Sequence, residues 1–220
     1  MKQLALELAS PPAPTLDNFV IGANAEVAAA LRMLVRGAGG ERFVYLWGGA
    51  GSGRTHLLRA TLQALQAVGR TVHAGLDAVG ADDVLGVDDV DRLDAPAQVK
   101  LFNIYNGLKD GSGVLLATGP LPPARLALRP DLLTRLAWGL VYEVHALSED
   151  DRRAALSDYA KSRGFVLPTE VADYLLVRVP RDLSSLRALV DTLDRLSLER
   201  KRAVTVPLAR EVLQQLQAKT

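Results

Sequence analysis

Two kinds of apolar pattern divide the chain. Up to about residue 147, short continuous apolar runs alternate with stretches in which apolar residues return every three or four positions, and from Ser148 onward only the second kind occurs. The runs at 43–47, 71–74, 84–87, 114–117 and 140–144 read as strands. Between them, Val27, Leu31, Leu34 and Val35 give a helix over 24–36, with Asn24 as its N-cap and Gly37 as its stop. Leu57, Leu58, Leu62 and Leu65 give another over 55–68, and Val99, Leu101, Phe102, Tyr105 and Leu108 a third over 97–109. A short helix follows Pro130. Strands alternating with helices predict an α/β unit with a parallel five-stranded sheet flanked by helices. The connection 75–83 is shorter than the dozen or more residues that a helical crossover needs, so the helix usual at that point is missing.

The last third reads as helix upon helix. Ser148, with an acid three residues on at Asp151, is an N-cap, Leu183, Leu186, Leu189, Val190, Leu193 and Leu196 form one stripe, and Pro207 opens a final helix. This is a small all-helical second domain, too short in its stripe for a coiled coil. At the other end, residues 1–8 are cut off by Ser10-Pro11-Pro12-Ala13-Pro14, which favours extended chain. The expected divisions are a tail with its linker at 1–16, an α/β domain at 17–147 and a helical domain at 148–220.

Chemistry enters at Gly48, Gly49, Ala50, Gly51, Ser52, Gly53, Arg54 and Thr55, which connect the first strand to the second helix. Glycines let backbone N–H groups turn inward around phosphate oxygens, and the helix offers its positive end. Thr55 supplies a hydroxyl for Mg²⁺. The usual lysine of such a loop is Arg54 here, a planar fork that still neutralises phosphate but crowds the γ-position. Nucleotide held without efficient hydrolysis is the expectation. The run 84–87 ends in Asp88 and Asp89, an arrangement that places Asp88 beside Mg²⁺ and lets Asp89 orient or deprotonate water.

Composition narrows the remaining classes. With 220 residues, 49% hydrophobic residues and a net charge of +1, the chain has material for a sizeable core, and no large basic face can be inferred. It has no cysteine, so disulfides and thiolate metal sites are excluded, which fits a reducing cytoplasm. No apolar stretch of membrane-spanning length and no secretory leader occurs, so neither membrane insertion nor secretion is expected. His56, His73 and His145 are dispersed, which argues against a metal site. Trp47 and Trp138 are expected in the core or an interface.

Taken together, the segments 17–22, 48–58, 87–89 and 131–140 resemble the AAA+ module of the bacterial replication initiator DnaA. The resemblance implies an adenine pocket lined by Phe19, Val20 and Ile21, phosphate contacts along the loop as far as His56, ATP or ADP with Mg²⁺ as cofactors, and an arginine finger at Arg135. It places Thr118 nearest to one sensor position, where Pro120 replaces a polar residue. At the sensor arginine of the second domain stands Ser184, with Arg181 and Arg187 three residues to either side. DnaA proper carries a further DNA-reading domain, absent from this chain, so direct origin recognition is not expected.

The tail carries Gln3, Leu4, Leu6 and Leu8 in the pattern of peptides that dock on the sliding clamp of DNA polymerase III. A DnaA-like module with such a tail is similar to the Hda family of DnaA regulatory inactivators, which also tolerate arginine in the loop. That resemblance implies DnaA and the clamp as partners, DNA contacted through the clamp, hydrolysis of ATP on DnaA as the activity stimulated, and self-association as an option. ADP is the expected resident nucleotide. A helicase-loader type ATPase and a clamp-tethered scaffold with an empty pocket are the alternatives.

Overall fold

Five strands, β1 (Phe43–Trp47), β2 (Val72–His73), β3 (Val84–Val87), β4 (Val114–Gly119) and β5 (Leu140–Glu143), pair in parallel in the order β2-β3-β4-β1-β5 in the computed structural model. Residues 13–38, 40–179 and 183–217 are described, without the side chains of 184 and 215–217. β3 and β4 are buried at every position, which is why their sequences are unbroken apolar runs, whereas β5 at the sheet edge alternates half-buried and exposed residues. β2, expected over 71–74, keeps only two residues at the opposite edge, and no helix forms between it and β3. The register pairs Trp47 with Gly119 and Val87 with Ala117, so the chain leaves β1, β3 and β4 at one end of the sheet.

Strand alternation sorts the core into two faces. Val44 and Leu46 point to α1 (Ala25–Val35) and α2 (Arg54–Ala67), joining Val27, Leu31, Leu57, Leu58 and Leu65, while Tyr45 joins Leu101, Tyr105, Leu108, Leu132 and Leu136 of α3 (Ala95–Asp110) and α4 (Pro130–Leu136). Each such buried leucine contributes about 1.5–3 kcal/mol relative to exposure. α3 starts earlier than its apolar period shows, because the Asp94 side chain accepts from Ala97 N–H at 2.9 Å and Pro96 fits the first turn.

Two expectations about the N-terminal region change. The linker was expected to reach residue 16, but the first compact unit is Ala13–Ala146: Thr15 and Asn18 exchange hydrogen bonds, Arg32 donates to Leu16 O at 2.9 Å, and Leu16 packs on the α1–α2 face. Asn24 precedes α1 as expected, yet its side chain caps nothing. The buried Asn24 amide donates to His145 O at 2.9 Å and its carbonyl accepts from His145 N–H at 2.8 Å, a pair of bonds that ties the start of α1 to the chain leaving β5.

The second unit, which begins at Leu147, holds α5 (Glu149–Ser162), α6 (Thr169–Arg178), α7 (Leu183–Arg200) and α8 (Val206–Gln217) around Leu156, Val171, Leu175, Leu186, Leu193 and Val212. The Ser148 hydroxyl accepts from Asp151 N–H at 3.0 Å and the Asp151 carboxylate accepts from Ser148 N–H at 3.3 Å, a reciprocal capping box. Among the described residues no helix is long and apolar enough to cross a membrane.

Candidate functional site

Between β1 and α2 the chain makes a turn that only glycine fits at two points. A Cβ on Gly48 would lie 2.3 Å from Val144 O, and Gly53 has φ +101° with Phe19 Cε2 only 2.9 Å from where its Cβ would be. α2 starts directly at Arg54, so the N–H groups of its first turn have no acceptor four residues back and face the loop with the positive end of the helix. Ser52 Oγ and Arg54 Nη1 are buried without a hydrogen-bond partner. Orphaned donors of this kind cost about 1–3 kcal/mol each unless a ligand accepts from them, and together with the helix end they fit an oligophosphate.

The two acids lie beside this loop. Asp88 Oδ1 accepts from Thr55 Oγ at 3.2 Å and from Thr118 Oγ at 2.6 Å, and Thr118 Oγ accepts from Asp89 N–H at 2.9 Å. Thr55 and Asp88, the expected metal pair, are thus adjacent, with hydroxyl lone pairs and the second carboxylate oxygen left for a cation. Thr118 takes a different part from the one expected of it. It is fully buried, its single O–H is committed to Asp88, and no donor remains for a phosphate. Thr118→Val is expected to leave the Asp89 N–H unpaired and to lower stability by about 1–3 kcal/mol, read as a fall of several degrees in thermal unfolding.

Asp89, expected to orient water, is engaged by cations instead: Arg54 Nη2 is 3.3 Å from its Oδ1 and Arg92 Nε is 3.6 Å from its Oδ2. Motif spacing brings Arg54 and Asp89 to one site; the direction of the guanidinium is set by how α2 packs on β3 and was not readable from it.

On the other side of the loop, the Phe19 ring covers Gly53 and tilts 47° against His56 at a centroid distance of 5.5 Å. His56 Nε2 is 3.0 Å from Thr15 O, a bond that requires the proton on Nε2. His56 therefore holds the N-terminal segment onto α2. Val20 is half-buried and Ile21 exposed. A surface cavity of about 390 Å³ opens elsewhere, between Leu16, Arg32, Val35, Ala60 and Ala64, and contains no loop residue.

Arg135, in the last turn of α4, touches none of these groups. Its guanidinium lies 5.5, 5.6 and 5.4 Å from the ring centroids of Phe102, Tyr105 and Trp138. No carboxylate among the described residues pairs with it within ion-pair distance. Trp138, expected in the core or an interface, is 58% exposed and carries Lys109 Nζ 3.5 Å above its ring. Burial pushes the Tyr105 phenol above its ordinary pKa, and the positive charge of Arg135 opposes the shift.

The remaining expected positions lie elsewhere. Arg187 stacks on Tyr159 at 5.4 Å, half-buried. Ser184 is on α7, with its side chain outside the described residues, as are Arg181 and the tail positions Gln3, Leu4, Leu6 and Leu8. No group of three or more histidine, aspartate or glutamate side chains able to hold a metal occurs among the described residues.

Two family models match the chain, "Bacterial DnaA ATPAse domain" over residues 12–74 and "Hda, lid domain" over residues 149–213. Among solved structures it is similar to domain III of the Thermotoga maritima replication initiation protein DnaA, with TM-score 0.76 and 21% identity over 94% of this chain and 98% of that one. A DnaA bound to AMPPCP and single-stranded DNA matches with TM-score 0.69 and 23% identity over 87% and 69% of the two chains. A RuvB variant from Thermotoga maritima matches with TM-score 0.67 and 18% identity over 96% and 74%. At these identities the likeness shows the fold, a P-loop α/β unit of five parallel strands with a helical lid.

Proposed function

We propose, from the premise that the chain is an Hda- and DnaA-related AAA+ protein, that it regulates replication initiation by lending Arg135 to the ATP held by DnaA. An in-trans arginine neutralises charge developing on a transferred phosphoryl group. The observation that carries the reading is the setting of Arg135: an aromatic shelf fixes the guanidinium, and no carboxylate among the described residues neutralises it. Cation–π contacts hold such a group in place while leaving its N–H fork open to an anion.

The chain's own loop serves as a nucleotide anchor with little turnover. First-turn N–H groups of α2, Ser52 and Arg54 grip the phosphates, Thr55 and Asp88 take Mg²⁺, and Phe19, Val20 and Ile21 border the base. When bound, Mg²⁺ would neutralise negative charge on the phosphates. Asp89 has both oxygens engaged by arginines and is poorly placed to take a proton from water. ADP is the resident this arrangement favours. The pairing of Thr55 with Asp88 also suits a hydrolysing loader, a second reading that brisk turnover by the isolated chain would establish.

The tail residues Gln3, Leu4, Leu6 and Leu8 anchor the protein on the sliding clamp, so that DNA is reached through the clamp and the setting is cytoplasmic. Purified chain, clamp loaded on DNA and ATP-bound DnaA are mixed and ADP formation is followed. A Leu6→Ala, Leu8→Ala double variant is expected to lose clamp binding and most of the acceleration, with an unchanged thermal unfolding curve. Acceleration indifferent to these two changes removes the clamp tether from the account, and no acceleration by the unaltered chain removes the regulator reading.

A further inference from the structure

The loop's cation and the neighbouring acid already satisfy one another. Asp89 and Arg54 are mostly covered, with side chains 28% and 13% exposed. Asp89 also has φ 48° and ψ 63°, a left-handed conformation uncommon outside glycine, asparagine and aspartate. The residue is held there by two contacts: the Asp89 N–H is bonded to the buried Thr118 hydroxyl, and Arg92 braces the outer carboxylate oxygen. A guanidinium presents its donors in a rigid planar fork. On Arg54, Nη2 faces Asp89, while Nη1 is buried without a partner. One edge of the fork is thus taken by Asp89, and the donor left without an acceptor is Nη1.

We infer that Asp89 is a specificity residue, a carboxylate that stands in for a terminal phosphoryl group on Arg54 and so selects a nucleoside diphosphate over a triphosphate. The inference rests on the reading of the loop as a nucleotide site and names the residue that sets its preference. A diphosphate meets the first-turn N–H groups, Ser52 Oγ and Arg54 Nη1 and leaves the ion pair intact. A triphosphate brings a third anionic group against a carboxylate that must either be displaced or remain as a like-charged neighbour.

Asp89→Asn tests this directly. Asparagine tolerates the left-handed backbone, keeps the N–H to Thr118, and removes the charge while exchanging one acceptor oxygen for an NH₂ group. Affinities for ADP and ATP in the presence of Mg²⁺ are measured by calorimetry on the full chain, with thermal unfolding as the check on folding. The unaltered chain is expected to prefer ADP, and Asp89→Asn is expected to tighten ATP binding by roughly tenfold while ADP changes little, as removal of a like charge predicts. If that variant does not fold, Arg54→Lys provides the same reading, since an ammonium cannot hold an acid and a phosphate on two fixed edges and the ADP preference should shrink. An ADP-to-ATP ratio unaltered in the folded variant, or an initial preference for ATP, overturns the inference and leaves the nucleotide site standing. An unaltered chain that binds neither nucleotide overturns the underlying reading as well.

Discussion

Arg135→Ala is expected to abolish acceleration of ATP hydrolysis on DnaA while nucleotide binding, clamp binding and the unfolding temperature stay close to those of the unaltered chain. The size of the effect follows from what a trans arginine does: positive charge delivered at the moment of transfer is worth roughly 10³ to 10⁵ in rate. Its selectivity follows from location. Arg135 contacts Phe102, Tyr105 and Trp138 and no residue of the phosphate loop, so its loss leaves the chain's own pocket untouched. Arg135→Lys should recover little, because an ammonium is a point charge without the flat face that lies on the rings or the fork that meets phosphate oxygens. Single-turnover ADP formation on DnaA, run with all three proteins, gives the comparison. Stimulation preserved in Arg135→Ala excludes Arg135 from the mechanism.

Gly53→Ala has the second largest expected effect, and it falls on a different activity. Its φ of +101° is one that L residues rarely adopt, and the added methyl would sit 2.9 Å from Phe19 Cε2. Backbone strain of about 1–2 kcal/mol and over-packing of about 1–3 kcal/mol both oppose the native turn. The turn relaxes by moving the start of α2 or the Phe19 ring, and either movement spoils the alignment of first-turn N–H groups on phosphate. Nucleotide affinity is expected to fall at least about tenfold, the change that 1.4 kcal/mol of lost alignment produces. Calorimetric titration with ADP measures it. Affinity equal to that of the unaltered chain contradicts the assignment of residues 48–55 as the phosphate site.

How far the sequence carried depends on whether a signal is local. β3 and β4 were readable because central parallel strands are buried on both faces and read as near-continuous apolar runs. The glycine-rich turn ahead of α2 was readable because its glycines answer steric demands at Gly48 and Gly53 that no other residue meets. Asn24 shows the limit. A polar residue ahead of an apolar period looks like a helix cap, yet its two bonds go to His145, 121 residues away, a partner that only the folded sheet brings near. β2 shrank because an edge strand without a crossover helix has little to pack against. Thr118 was singled out through the resemblance, as the residue nearest a sensor position, but its use as a brace between Asp88 and Asp89 depends on the β3–β4 register. Arg54 was noticed as a departure from lysine, and its attachment to Asp89 required the loop and β3 to be in place.

The central claim is that the phosphate cleaved belongs to the partner. The most direct test loads DnaA with γ-labelled ATP and the present chain with unlabelled ADP, adds clamp on DNA, and follows release of labelled phosphate in one turnover. The account predicts fast release that requires the chain and vanishes with Arg135→Ala, together with negligible hydrolysis when the chain alone is given labelled ATP. Vigorous hydrolysis by the chain alone, with no change on DnaA, would contradict it.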